Sequence, residues 1–165
     1  MVNSTLGAAV LAAGLVTAAI CAEAAAESHE QGKHAPRPSG HGADARQLVE
    51  FPPALREHEL ANMRDHLLSL QQIQEALAKG RFDKAADIAE SRLGMNSLKL
   101  HGAHEVAQYM PQGMQEVGEA MHRSASRFAL AATDASVSGD VRPALAALSQ
   151  VTQQCVTCHA AYRLR

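Results

Sequence analysis

Residues 51–80 read FPPALREHELANMRDHLLSLQQIQEALAKG, and this stretch decides the fold. Pro52 and Pro53 stand where a helix starts, and Gly80 stands where one stops. Between them Leu60, Met63, Leu67, Leu70, Ile73 and Leu77 recur at steps of three and four. That spacing predicts one apolar stripe on a long amphipathic helix. From Pro52 to Lys79 such a helix is roughly 40 Å long.

The pattern continues downstream. Asp83 is placed to cap a second helix carrying Ala86, Ile88, Ala89 and Leu93, which breaks at Gly94. Asn96 or Ser97 starts a continuation, SLKLHGAHEVAQYM. Pro111 opens another helix with Met114, Val117, Met121, Ala125, Phe128 and Ala132 on one side. Gly139 ends it, and Asp140 is placed to cap the last helix. No strand-like alternation appears. The prediction is an all-α protein, an antiparallel four-helix bundle with up-down-up-down connections.

Composition agrees. The 165 residues suffice for one domain and its core. Hydrophobic residues are 47% of the chain but aromatics only 3%, with no Trp, which argues for helices over a β-sandwich or barrel. The net charge of −2 offers no basic excess for a phosphate backbone, so nucleic acid is not an expected partner.

Upstream of the bundle, Leu6–Ala22 is an apolar, small-residue run, LGAAVLAAGLVTAAICA, followed by AEAAA. It reads as a secretory signal peptide over residues 1–24, with an Ala-x-Ala cleavage region. The alternative is a retained membrane anchor, for which the Ala/Gly content is weak. Cleavage leaves no membrane span and removes Cys21, so only Cys155 and Cys158 remain. Residues 25–50 are rich in Gly, Pro, His and charge and read as a flexible linker. His29, His34 and His41 in it have no metal-site frame. The domain is expected over residues 51–165.

The chemistry lies at the other end, in QQCVTCHAAYRLR. Cys155, Cys158 and His159 form C-x-x-C-H, the signature of covalent c-type haem attachment. On a helix, positions i, i+3 and i+4 share a face. Two thiols there can add to the two haem vinyl groups, and the His can reach the iron as an axial ligand. The expected inward stripe is Val141, Leu145, Leu148, Thr152, Cys155, His159 and Tyr162. Zinc would need about four ligands. His101 and His104 could complete such a site, but nothing in the sequence fixes them nearby. A thioredoxin-like pair would sit at a helix N-terminus after a strand.

A bundle ending in C-x-x-C-H, an aromatic and a basic residue resembles the cytochrome c′ family, on Cys155, Cys158, His159, Tyr162 and Arg163. The resemblance covers roughly Pro52–Arg165. It implies a class II c-type cytochrome with one covalent haem c near one end of the bundle. His159 would be the proximal iron ligand, and Arg163 would lie beside it at the haem edge. Tyr162 also reads simply as core.

The resemblance leaves two branches. In one, a Met of the first helix completes a low-spin iron, and the protein carries electrons. Met63 holds that position here. In the other the distal site is vacant, lined here by Leu60, Met63 or Leu67, and binds small gases such as carbon monoxide or nitric oxide. His66, one turn beyond Met63, is a further candidate ligand. The expected function is periplasmic electron transfer through a His159/Met63-ligated haem, not enzymatic catalysis. Transient redox proteins are the expected partners, and the long first stripe leaves room for a homodimer. Gly118, Ala125, Ala129 and Ala132 on the third helix imply either close helix approach or space for the macrocycle.

Overall fold

The computed structural model describes residues 44–165. The signal segment and residues 25–43 of the linker lie outside the described residues, as do His29, His34 and His41.

The described chain is predominantly helical. Helix α1 spans Pro53–Ala78, with Pro53 inside its first turn. Helix α2 spans Phe82–Arg92 and α4 spans Gln112–Ser138. Helix α5 spans Arg142–Ala161. Between α2 and α4 runs a connector with one 3-10 turn, Met95–Ser97, and a short helix α3, Ala103–Ala107. The continuation expected from Asn96 or Ser97 is therefore not one helix. Gly102, at φ 60°, turns the chain in its middle.

The stops fall where the glycines are. Gly139 takes φ 74° and its N–H reaches the Ala135 carbonyl, closing the last turn of α4. Asp140 then accepts from the backbone N–H of Arg142 at 3.0 Å, holding a free donor at the start of α5. Asp83 lies in the first turn of α2 and makes no capping bond there.

Helix α1 packs on α2, α2 on α4, and α4 on α5. The turns between α1 and α2 and between α4 and α5 are short, which sets these neighbours antiparallel. Their shared core holds Ile73, Leu77, Ile88, Leu93, Met121, Phe128, Leu148 and Val151. Ala85, Ala89, Ala125, Ala132 and Ala144 are fully buried among them. Small side chains let the backbones approach, so Ala125 and Ala132 serve close packing.

One expectation fails at the chain's start. Gln47–Val49, inside the expected linker, forms strand β1, which pairs in parallel with strand β2, Tyr162–Leu164. Val49 is only 3% exposed. It packs with Phe51, Val106 and Met114 in a second, smaller core beside Tyr162 and Leu164. Three residues per strand are too few for alternation to show in sequence. Among the described residues no helix is long and apolar enough to cross a membrane.

Candidate functional site

A cleft of about 630 Å³ opens where α1 faces α4, α5 and the connector. Cys155, Cys158 and His159 from α5 line it, and so do Leu60, Met63 and His66 from α1. The sequence-predicted ligand candidates are therefore brought to one cavity from opposite ends of the domain. Cys155 packs against the main core and Cys158 against the smaller one, so the thiols sit at the seam between them. Both are free and half-buried. Burial pushes each thiol above its usual range, and for Cys158 the neighbouring Cys155 and Glu59 add to the effect. They are protonated at neutral pH, unlike the activated thiolate of an exchange enzyme.

Helix α5 is turned by about one residue from the expected stripe. Its buried positions are Ala144, Leu148 and Val151, whereas Leu145 is 49% exposed. Thr152 and His159 are exposed as well, so His159 stands at the cleft's edge rather than in the core. The sequence stripe was ambiguous here because Ala144 is too small to mark a face.

Helix α1 shows the same offset with a larger consequence. Its inward face is Glu59, Asn62, His66, Ser69, Ile73 and Ala76, stepping by three and four and polar in its first half. The apolar stripe read from sequence lies one residue round the helix. Leu60, Met63, Leu67 and Leu70 line the cleft; Leu70 also packs against the main core, and Leu67 is 70% exposed. Gly118 borders the same space, and a Cβ there would meet nothing within 4 Å.

Arg163 was expected beside the haem edge. It is not among the residues lining the cleft. It lies on β2, and its Nε stands 3.5 Å from Asp44 Oδ2, an ion pair without hydrogen-bond geometry. Its partner Asp44 also holds Arg46, whose hydrogen bonds lower the carboxylate to about 2. Tyr162 is half-buried in the smaller core, its hydroxyl over Gly113, where a Cβ would come within 2.6 Å.

The polar wall of the cleft was not read as a unit from sequence. Asn62 Nδ2 donates to the backbone carbonyl of His101 at 3.0 Å and to Glu59 at 3.3 Å. His58 Nε2 donates to the same carbonyl at 2.9 Å. Burial raises the Glu59 carboxyl above its usual range. Behind these residues the rings of His66, His101 and His122 meet, with centroids 4.6, 5.5 and 6.2 Å apart. His104, the expected companion of His101, is exposed while His101 is buried. The signal was present in the three-four spacing of Glu59, Asn62 and His66, but an apolar stripe one residue away masked it.

No known protein family, curated protein or solved structure matches the chain.

Proposed function

We propose that the protein is an exported c-type cytochrome that carries electrons. One haem c would be held by thioether bonds to Cys155 and Cys158. His159 and Met63 would be its axial ligands. The observation that carries this reading is that Cys155, Cys158, His159 and Met63 line one cleft, although α1 and α5 lie at opposite ends of the described chain.

The residues present fit the group. Cys155 and Cys158 are free thiols three residues apart on one helix, as two thioether bonds to the haem vinyl groups need. Leu60, Met63, Leu67 and Leu70 give the cleft an apolar wall, which suits a flat macrocycle. A haem there would supply the large buried apolar surface that a chain with 3% aromatics lacks. When bound, haem iron supplies one-electron exchange between its ferric and ferrous states.

The chain's own residues do the rest. From the cleft's edge His159 would hold the iron through a ring nitrogen. Met63 would hold it through its thioether, a ligand type that favours the reduced state. Leu60 and Leu70 would lie against one side of the group. The exposed edge near His159 is where a redox protein would dock, through the small interface that transient electron exchange needs. The C-x-x-C-H motif and the N-terminal apolar segment together favour a periplasmic setting.

The test is the visible spectrum of the mature protein, oxidised and then reduced with and without carbon monoxide. Low-spin iron with the weak far-red sulfur-to-iron band, indifferent to the gas, is the expected result. A high-spin spectrum that shifts with carbon monoxide would instead make it a gas-binding protein. Stable covalent haem in a chain with Cys155→Ala and Cys158→Ala would overturn the attachment itself.

A further inference from the structure

The imidazoles of His66, His101 and His122 come from three separate elements, α1, the connector and α4, and none is needed for haem attachment. Their hydrogen-bond inventory does not close. Ser97 Oγ donates to the Gly94 carbonyl at 2.7 Å, so it has no proton left for the two histidines near it. It lies 3.4 Å from Nδ1 of His101 and 3.4 Å from Nδ1 of His122. His122 Nδ1 donates to the Leu93 carbonyl at 2.7 Å, which fixes its Nε2 as a bare lone pair. His101 is 5% exposed, and its Nε2 is buried with no partner. His66 Nε2 and His101 Nδ1 share at most one proton across 3.4 Å. The cluster thus brings three imidazoles together and leaves His101 Nε2 unpartnered, in a place where unpaired polar atoms are costly.

A cation is the natural complement to grouped imidazoles with an unpartnered nitrogen. Protons are a poor one: burial first, then the neighbouring imidazoles, hold His66 and His101 down to about 4. A transition-metal ion suits neutral imidazoles well. Two ligands on a tetrahedral ion with the usual bond lengths stand about 3.3 Å apart. His66 Nε2 and His101 Nδ1 are 3.4 Å apart. Asp65 favours positive charge at His66 and His101, and Arg92, ion-paired with it, opposes it.

We infer that His66, His101 and His122, on the wall of the same cleft that Cys155, Cys158 and His159 line, form a binding site for a borderline divalent transition-metal ion such as zinc or copper. Among the described residues no three such side chains already surround one point. Binding therefore includes a turn of the rings about χ2, with the free Nε2 of His122 as the third donor. The site does not depend on the haem reading.

The test is calorimetric titration of zinc(II) into the mature protein as isolated, with its thermal midpoint recorded alongside. One saturable equivalent and a raised midpoint are expected. His66→Ala, His101→Ala and His122→Ala should each weaken binding at least tenfold. His104→Ala, and a variant with His29, His34 and His41 all changed to Ala, should keep it. Absence of saturable binding in the unsubstituted protein overturns the site without reference to any variant. So does binding that survives His66→Ala, a half-exposed position where the fold tolerates change, or binding lost with the tether histidines. Haem absorbance, read in the same samples, reports the haem reading separately.

Discussion

The side-chain amide of Asn62 donates to the backbone carbonyl of His101 at 3.0 Å, and this bond ties α1 to the connector that walls the cleft. The second amide proton goes to Glu59. Asn62→Ala removes both and leaves a buried carboxyl without its donor. The expected cost is about 1–3 kcal/mol. It should lower the urea midpoint without changing the slope. An unchanged midpoint would show that His58 alone holds the connector.

Acid should unfold the protein through the imidazole cluster. His66 and His101 are held down to about 4, chiefly by burial, against an ordinary value of 6.5. Between those values the unfolded chain binds more protons than the folded one. Stability is therefore complete above about pH 6.5 and is lost progressively as pH falls toward 4. Denaturant midpoints between pH 7.5 and 4 should fall through this window. His66→Gln and His101→Gln should each flatten the profile; a profile unaltered by both would rule the cluster out as its source.

Glu59 has the opposite sign. It is 6% exposed, and burial raises its carboxyl above the ordinary 4.5. The folded chain then holds its proton more tightly than the unfolded chain, so stability falls as pH rises past 4.5. Glu59→Gln removes a poorly solvated charge. It should stabilise the protein at pH 7 by on the order of 1 kcal/mol and give no such gain at pH 4. An equal effect at both pH values would point to lost packing instead.

Helix number and helix ends were legible because prolines and glycines punctuate them: Pro53, Pro111, Gly80 and Gly139 all mark real boundaries. The gathering of Cys155, Cys158, His159 and Met63 at one cleft followed from the bundle and the motif together. The rotation of α1 was not legible. Hydrophobic spacing assumes that apolar residues pack on protein, yet Leu60, Met63 and Leu67 face a cleft and the polar Glu59, Asn62 and Ser69 are buried. The imidazole cluster was hidden for a further reason. His66, His101 and His122 are far apart in the chain and meet from three separate elements, α1, the connector and α4.

The pairing of β1 with β2 should be a structural clasp. Val49 is buried beside Tyr162 and Leu164, and its carbonyl accepts from the Arg165 N–H at 3.1 Å. Val49→Ala should cost about 2 kcal/mol, as a partly refilled core site does. Hydrogen exchange should show Tyr162–Leu164 opening first in that variant. Unaltered protection there would mean that β2 is held by α5 alone.

Met63 is the sharpest discriminator of the haem reading, because its removal should change the iron and not the fold. Its side chain is half-buried and lines the cleft, so Met63→Ala should cost little stability, about 1 kcal/mol. If its thioether completes the iron, the variant becomes high-spin, loses the far-red band and binds carbon monoxide. His66→Ala should leave all three unchanged, since His66 Nε2 faces His101. The reverse outcome, a spectrum altered by His66→Ala and untouched by Met63→Ala, would move the sixth ligand one turn along α1. It would also take His66 away from the imidazole cluster, so the two substitutions together decide which site that side chain serves.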